Sequence, residues 1–373
     1  MVMVGAGQLA RMSQQAAVDL DVELVVLAES DRDPAVLAGA PHRLGGPRDG
    51  EALHAVAAEA PVMTFDHELV PGALLRELEA AGHVLRPGAA ALAFAQDKLH
   101  ARAELAAAGF PVPAFRPVSG PAEVAAFAEE HGWPVVLKAR SGGYDGRGVL
   151  VVDKPDELPE LAWVGDDGRP GWLVEEHLDL AAELAAVVAR RPSGETVAYP
   201  VVRTTQVDGI CTHLVAPAGV AAATEAEASR LAIHLAERIG ATGICALELF
   251  VTGDGRLLVN ELALRPHNSG HATIEACVTS QFHNHLRAVL DWPLGATDLV
   301  APAAAMVNVI TPDADVDPAA NLPAALAVDG AAVHLYAKAS RRGRKVGHVT
   351  ALGATTAGAL DVAQAAVDIL LRP

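Results

Sequence analysis

The sequence predicts an α/β and α+β chain with three parts: an amino-terminal open parallel sheet, a larger mixed region and a small carboxy-terminal domain. Three observations carry this. Short apolar runs alternate with helical periodicity over roughly the first 93 residues, the pattern of a parallel sheet with crossover helices. Strands dominate the middle of the chain, several of them joined through glycine-bearing turns. Beyond about residue 301, short strands precede an alanine-rich terminal helix. The expected divisions are 1–93, 94–300 and 301–373.

Taken in order, MVMV is a buried strand that turns at the glycines of GAGQLA into a helix. VELVVLAES, ending near Ser30, is the second strand, and PVMTF and ALLRELEAAG continue the alternation. The spacing predicts a helix over 96–108 (QDKLHARAELAAA), stopped by Gly109 and the prolines of FPVPAF. In PAEVAAFAEEHGWP, Val124, Phe127 and Ala128 share one helical face, and Gly132 and Pro134 end it. VVLKA and GVLVV are strands around a glycine-rich loop, followed by the strands WLVEEH and ELAAVVAR. Thr224 and Glu227 read as a capping box opening TEAEASRLAIHLAERIG, which Gly240 closes. ICALELFV and RLLVNELA read as a hairpin, and VNVI and VGHVT as strands of the last region. PDADVDPAANLP is turn-rich and reads as a surface loop.

The chain has 373 residues, of which 51% are hydrophobic, enough for two or three packed domains. Lys plus Arg is 28 and Asp plus Glu is 46, a net charge of −18. That balance argues against nucleic acid as a general partner but permits a local basic pocket for a small anion. Cys211, Cys245 and Cys277 lack CxxC spacing, which suits a reducing compartment without structural zinc. No apolar stretch reaches bilayer length, and MVMVGAGQLA lacks a basic n-region. A cytoplasmic location without membrane association is expected.

Gly5, Gly7 and Ala10 satisfy G-x-G-x-x-A after a strand, with Glu29 22 residues beyond Gly7. This pattern fits a dinucleotide, another phosphate-bearing ligand or a tight structural turn, and does not choose among them. The hairpin is more informative. If Asp254-Gly255 forms a two-residue turn, Glu248 falls opposite Glu261 with Cβ atoms roughly 4.5–5.5 Å apart. Facing carboxylates repel unless a proton or cation separates them. Magnesium answers with hard oxygen chemistry, and Asn260 offers a nearby carbonyl; a solvated surface pair is the alternative. In KARSGGYDGRGVLVV, Lys138 enters a glycine loop that can cradle phosphates, although no Walker spacing is present. Lys98 offers a second positive charge, and Glu175 and Glu176 end a strand where alternation makes them diverge. LRPHNSGHAT places Arg265, His267, Asn268 and His271 around a turn, where a zinc pair of histidines is disfavoured. KASRRGRKVGHVT gathers Lys338, Arg341, Arg342, Arg344 and Lys345, a focus of charge for phosphate or carboxylate.

Taken together, GAGQLARM, QDKLHARAEL, KARSGGYDGRG, LVEEH, NELALRPHNSGH and GRKVGH resemble the ATP-grasp enzymes, and within them the N5-carboxyaminoimidazole ribonucleotide synthase family. The resemblance implies an ATP-grasp fold with a Rossmann-like amino-terminal domain and a small lid region at about 110–178. It implies Lys98 and Lys138 as phosphate-binding lysines, with Gly143, Tyr144, Asp145, Gly146, Arg147, Gly148 and Val149 as a loop over the nucleotide. Glu175, Glu176, His177, Leu178 and Glu183 resemble the adenine and ribose segment, and Gln206 and Asn260 complete the ATP set. Glu248 and Glu261 resemble the magnesium carboxylates. Gln8 and Leu9 match a contact to 5-aminoimidazole ribonucleotide, and Tyr144, Asp145, Arg265 and Asn268 match its reaction pocket. Lys338, Arg344 and Lys345 resemble the grip on the ribonucleotide phosphate. Lys138, Arg265 and Asp145 are the implied catalytic groups, bicarbonate the co-substrate and a homodimer the assembly. The alternatives are another ATP-grasp ligase, a dinucleotide-dependent oxidoreductase built on Gly5 and Gly7, and a non-catalytic nucleotide sensor.

Overall fold

The computed structural model describes residues 1–142, 148–165 and 167–372. Four parallel strands open the chain: β1 (Val2–Val4), β2 (Val25–Ala28), β3 (His42–Leu44) and β4 (Met63–Phe65), in the order β3-β2-β1-β4. Apolar residues on both faces of β1 explain why a three-residue strand is stable. Val2 and Val4 join a core with Leu53 and Leu75, while Met3 points into another with Ala10 and Met12. A strand buried on both sides is what a parallel sheet requires.

An antiparallel sheet follows, with β5 (Phe115–Val118), β6 (Val135–Ala139), β7 (Val149–Val152) and β8 (Trp172–Glu176) in the order β5-β8-β6-β7. The Pro121–His131 helix packs on it through Val124, Phe127 and Ala128, the face that the sequence marked.

The third sheet has nine strands: β9 (Leu180–Arg190), β10 (Thr196–Ala198), β11 (Val202–Val207), β12 (Ile210–Ala216), β13 (Gly243–Thr252), β14 (Leu257–Ala263), β15 (Ala303–Thr311), β16 (Ala331–Leu335) and β17 (Arg344–Gly353). Its path is β14-β13-β9-β11-β12-β15-β17-β16, with β10 on β9. The last three strands therefore extend the central sheet through β12–β15 pairing rather than forming a sheet of their own. Their core is nevertheless separate, with Val307, Val309 and Val349 packed against Ala363 and Val367 of the Thr356–Leu370 helix.

Two helix expectations need correction. The helix expected over 96–108 is present but starts at Lys98. Ala89–Gln96 ends at Asp97, whose backbone is extended, and Lys98–Ala107 begins there. Asp97 accepts a hydrogen bond from the His100 N–H at 3.0 Å, so it caps the second helix and breaks the first. The proposed capping box is absent as well. The Ala222–Arg238 helix starts ahead of Thr224, at an Ala221 N-cap without a side-chain bond. The helix-forming alanines before Thr224 let it begin early. Among the described residues no helix is long and apolar enough to cross a membrane.

Candidate active site

The β13–β14 hairpin sets the geometry. Ala246, Leu247 and Glu248 pair with Ala263, Leu262 and Glu261, so the two glutamates stand opposite one another. The chain reaches this register by a different route from the one expected. Thr252 N–H donates to the Arg256 carbonyl at 3.0 Å, which leaves a loop of Gly253, Asp254 and Gly255 instead of Asp254-Gly255 alone. On the turn side Leu249 pairs with Val259, and Asn260 is an extra residue, a β-bulge. The longer loop shifts the register by one residue and the bulge shifts it back. The bulge also suspends strict alternation, so Asn260 and Glu261 meet the same cleft. Asn260 Oδ1 accepts from Lys138 Nζ at 3.0 Å, and Glu261 Oε1 lies 2.6 Å from Lys98 Nζ.

Phe94, Lys98, Lys138, Glu175, Asn260 and Glu261 are among the residues lining that cleft. Lys98 opens its helix immediately after the Asp97 cap. Lys138, on β6, is buried and contacts Glu175 Oε2 at 2.7 Å; the other oxygen of Glu175 accepts from Arg102 Nε at 2.6 Å. Arg102 also donates to the Val259 carbonyl at 3.0 Å, tying the triad to β14. Burial opposes ionisation of Glu175, but the charges of Lys138 and Arg102 outweigh it and hold its carboxyl below the usual range. For Lys138, burial dominates and lowers its pKa against the pull of Glu175.

Burial pushes the Glu248 carboxyl up to about 7, helped by the charges of Glu261 and Glu183 and opposed by Lys98 and Lys345. Its side chain still keeps 30% exposure. His267 Nε2 lies 3.6 Å from Glu248 Oε1, and burial beside Arg265 and Lys345 lowers the imidazole to about 3, leaving it neutral. Arg265 donates from Nε to Glu68 Oε2 at 2.9 Å. Burial works against the guanidinium charge, but Glu68, Asp66 and Glu261 more than compensate.

Next to Glu68, the buried Asp66 accepts the Gly7 N–H at 2.7 Å. A Cβ on Gly5, at φ +99°, would lie 1.8 Å from Asp66 Oδ1. The carboxylate fills the mouth of the glycine turn, where a dinucleotide pyrophosphate would have to sit. The dinucleotide reading therefore fails: these glycines admit the chain's own carboxylate.

Other expected residues are placed less uniformly. Lys338 donates to Gln8 Oε1, which brings the carboxy-terminal basic segment to the amino-terminal helix. The Leu9 side chain is buried in the core. Lys345 acts electrostatically on both Glu248 and His267, whereas Arg344 donates to the Ala339 carbonyl at 3.0 Å. Glu176 turns away from Glu175 and accepts from Ala114 N–H at 2.9 Å. His177 is exposed, Leu178, Glu183, Gln206, Asn268 and Gly148 are half-buried, and Val149 is exposed on β7. Burial raises the Glu183 carboxyl, partly countered by Lys138. Gly143, Tyr144, Asp145, Gly146 and Arg147 lie outside the described residues. His271 is buried against Gln281 and is not part of a metal pair with His267.

Among the described residues no three His, Cys, Asp or Glu side chains converge as a metal cage. Two facing carboxylates beside a lysine-lined cleft suit magnesium, which is held by one or two carboxylates together with substrate phosphates. The sequence reading missed Arg102. Its place four residues after Lys98 puts both on one helix face, a signal that was present.

Three family models match the chain in succession: the ribonucleotide synthetase preATP-grasp domain over 1–96, the ATP-grasp domain over 103–282 and the phosphoribosylaminoimidazole carboxylase C-terminal domain over 304–361. The N5-carboxyaminoimidazole ribonucleotide synthase of Mycobacterium bovis is 47% identical over 99% of this chain and 87% of its own length. That of Corynebacterium ammoniagenes is 41% identical over 99% of this chain and 91% of its own. The Aspergillus clavatus carboxyaminoimidazole ribonucleotide synthase, solved in complex with ATP, superposes with a TM-score of 0.90 at 34% identity, covering 100% of this chain and 98% of that one. The paired glutamates, the order of the three domain matches and the identity to these synthases agree: this chain belongs to the N5-carboxyaminoimidazole ribonucleotide synthase family of ATP-grasp enzymes.

Proposed function

We propose that this chain carboxylates 5-aminoimidazole ribonucleotide to N5-carboxyaminoimidazole ribonucleotide, consuming ATP and bicarbonate and releasing ADP and phosphate. The observation that carries this reading is a cleft lined by Lys98, Lys138 and Glu261, with Glu248 facing Glu261 across the hairpin and Arg265 close enough to feel the Glu261 charge. Lys98 and Lys138 bind the triphosphate, and the Arg102–Glu175 pair holds Lys138 in place. Glu248 and Glu261 would hold magnesium, whose charge offsets that of the β- and γ-phosphate oxygens.

Bicarbonate attacks the γ-phosphorus, giving carboxyphosphate and ADP. Arg265, braced by Glu68, holds the bicarbonate oxygens and the carboxyphosphate that forms. Charge stabilisation by fixed cations is worth most in such a site, because no solvent reorganises as charge moves. The exocyclic amine of the ribonucleotide then takes the carboxyl carbon, phosphate departs, and Asp145 is assigned the amine proton. Gln8 and Asn268 orient the acceptor, while Lys338, Arg344 and Lys345 bind its phosphate. The family resemblance further implies a homodimer, which light scattering on the purified chain tests.

The deciding experiment measures ADP release with bicarbonate present, with and without 5-aminoimidazole ribonucleotide, and records the product mass. Turnover that requires the ribonucleotide, and a product heavier by one carboxylate, are the expected results. Equal ADP release without it would reject the assignment.

A further inference from the structure

The segment 265–271 carries Arg265, His267 and Asn268, and its backbone is gripped by one side chain from elsewhere. Gln281 is fully buried. His267 N–H donates to its Oε1 at 2.9 Å, and its Nε2 donates back to the His267 carbonyl at 2.8 Å. Two opposed bonds to one residue reproduce a rung of an antiparallel ladder, with a side-chain amide in place of a strand. Nε2 also meets His271 Nδ1 at 3.0 Å. Gly270 gives way to this amide, since a Cβ there would lie 2.3 Å from Gln281 Oε1.

The helix that supplies Gln281, Gln281–Val289, is itself fixed on two sides. Phe282, Leu286 and Val289 pack with Met3 and Ala10 of the amino-terminal unit. His285 Nδ1 accepts from Ile244 N–H on β13 at 3.2 Å, and its Nε2 lies 3.1 Å from Thr64 Oγ1 on β4. Gln281 thus references the turn both to the strand bearing Glu248 and to the unit bearing Gln8.

We propose that Gln281 is a positioning residue for the reaction: its buried amide locks the His267 backbone and so sets Arg265 against Glu68 and the His267 ring at Glu248. This inference rests on the carboxylation reading above. A displacement of about 1 Å at reacting groups costs on the order of 100-fold in rate.

The test compares wild type with Q281L, which keeps the bulk and loses every bond, and with G270A, whose methyl group displaces the amide. Both variants should lose about 100-fold in kcat, with KM for bicarbonate raised about tenfold and KM for ATP within about threefold of wild type. Loss of folded enzyme alone would lower kcat without moving either KM. The double variant G270A/Q281L should be no worse than the poorer single, because both break the same clamp. If Q281L does not fold, Q281M, which fills the site with neither the amide donor nor its carbonyl acceptor, should show the same kinetic loss. Wild-type kcat and bicarbonate KM in a folded Gln281 variant, or losses that multiply in the double, would overturn the proposal. Absence of ribonucleotide-dependent ADP release by wild type would instead reject the carboxylation reading.

Discussion

Glu248 and Glu261 are opposed across the hairpin yet held differently: Glu261 pairs with Lys98, while burial raises the Glu248 carboxyl to about 7 against the pull of Lys98 and Lys345. Glu261→Gln removes one charge of the pair without changing shape. Folding should survive, and ADP release should fall by about 3–5 kcal/mol of transition-state stabilisation, a few hundred- to few thousand-fold. Steady-state kinetics on the folded variant reads this, and wild-type turnover would remove Glu261 from the mechanism. The Glu248 proton predicts a pH effect. Between its unfolded value of 4.5 and its folded value of about 7, the native state binds more protons than the unfolded chain. This group's contribution to stability accordingly declines as pH rises through that window. If Glu248 holds magnesium as proposed, magnesium-ATP binds with its carboxylate ionised, so affinity should strengthen as pH rises through about 7, with up to about one proton released near pH 6. Calorimetry in buffers of unlike ionisation enthalpy counts that proton, and E248Q should abolish it.

At the scale of elements, joints between regular pieces place the chemistry. Asp97 separates two helices, caps the second, and accepts Arg140 Nε from the strand end at 2.8 Å; the Arg140 carbonyl in turn accepts the Lys98 N–H at 2.9 Å. Removing the cap in D97A should cost about 1 kcal/mol of stability and raise KM for ATP, because Lys98 and the strand carrying Lys138 lose their common anchor. D97S, which keeps a capping oxygen, should recover the stability. An unchanged denaturation midpoint for D97A would count against the cap. The bulge at Asn260 is the same kind of joint. Hairpin chemistry in the sequence was enough to oppose the two glutamates, but it named a two-residue turn where three residues form the loop. Only the compensating bulge preserves the pairing, and alternation by itself gives no sign of where a bulge falls.

At the scale of the molecule, the central sheet crosses the expected boundary at residue 300. His213 to Ala216 of β12 pair with Val307 to Ala304 of β15, so the carboxy-terminal unit covers what would otherwise be an open edge. A chain ending at residue 300 should expose that edge and associate. Size-exclusion chromatography and circular dichroism would test this: a monodisperse, folded truncation would show that the sheet does not need its last strands. Lys338 on Gln8 adds a polar tie between the two ends of the chain. An acidic protein of net charge −18 thereby keeps half-buried Lys338, Arg344 and Lys345, with Lys345 acting on Glu248, and partly buried cations are screened less than fully exposed charge.

The amino-acid sequence by itself determined the alternating amino-terminal sheet, the amphipathic face of Val124, Phe127 and Ala128, and the hairpin that carries Glu248 and Glu261, whose exact register a bulge completes. These are short-range properties, governed by period, turn residues and nearest-strand pairing. Tertiary structure alone decided that Asp66, 59 residues from Gly7, fills the glycine turn, and that Arg102 meets Glu175 across 73 residues of chain. It likewise brought Gln281 to His267. Such contacts depend on how whole elements pack, and no local pattern records which buried polar group will find which partner.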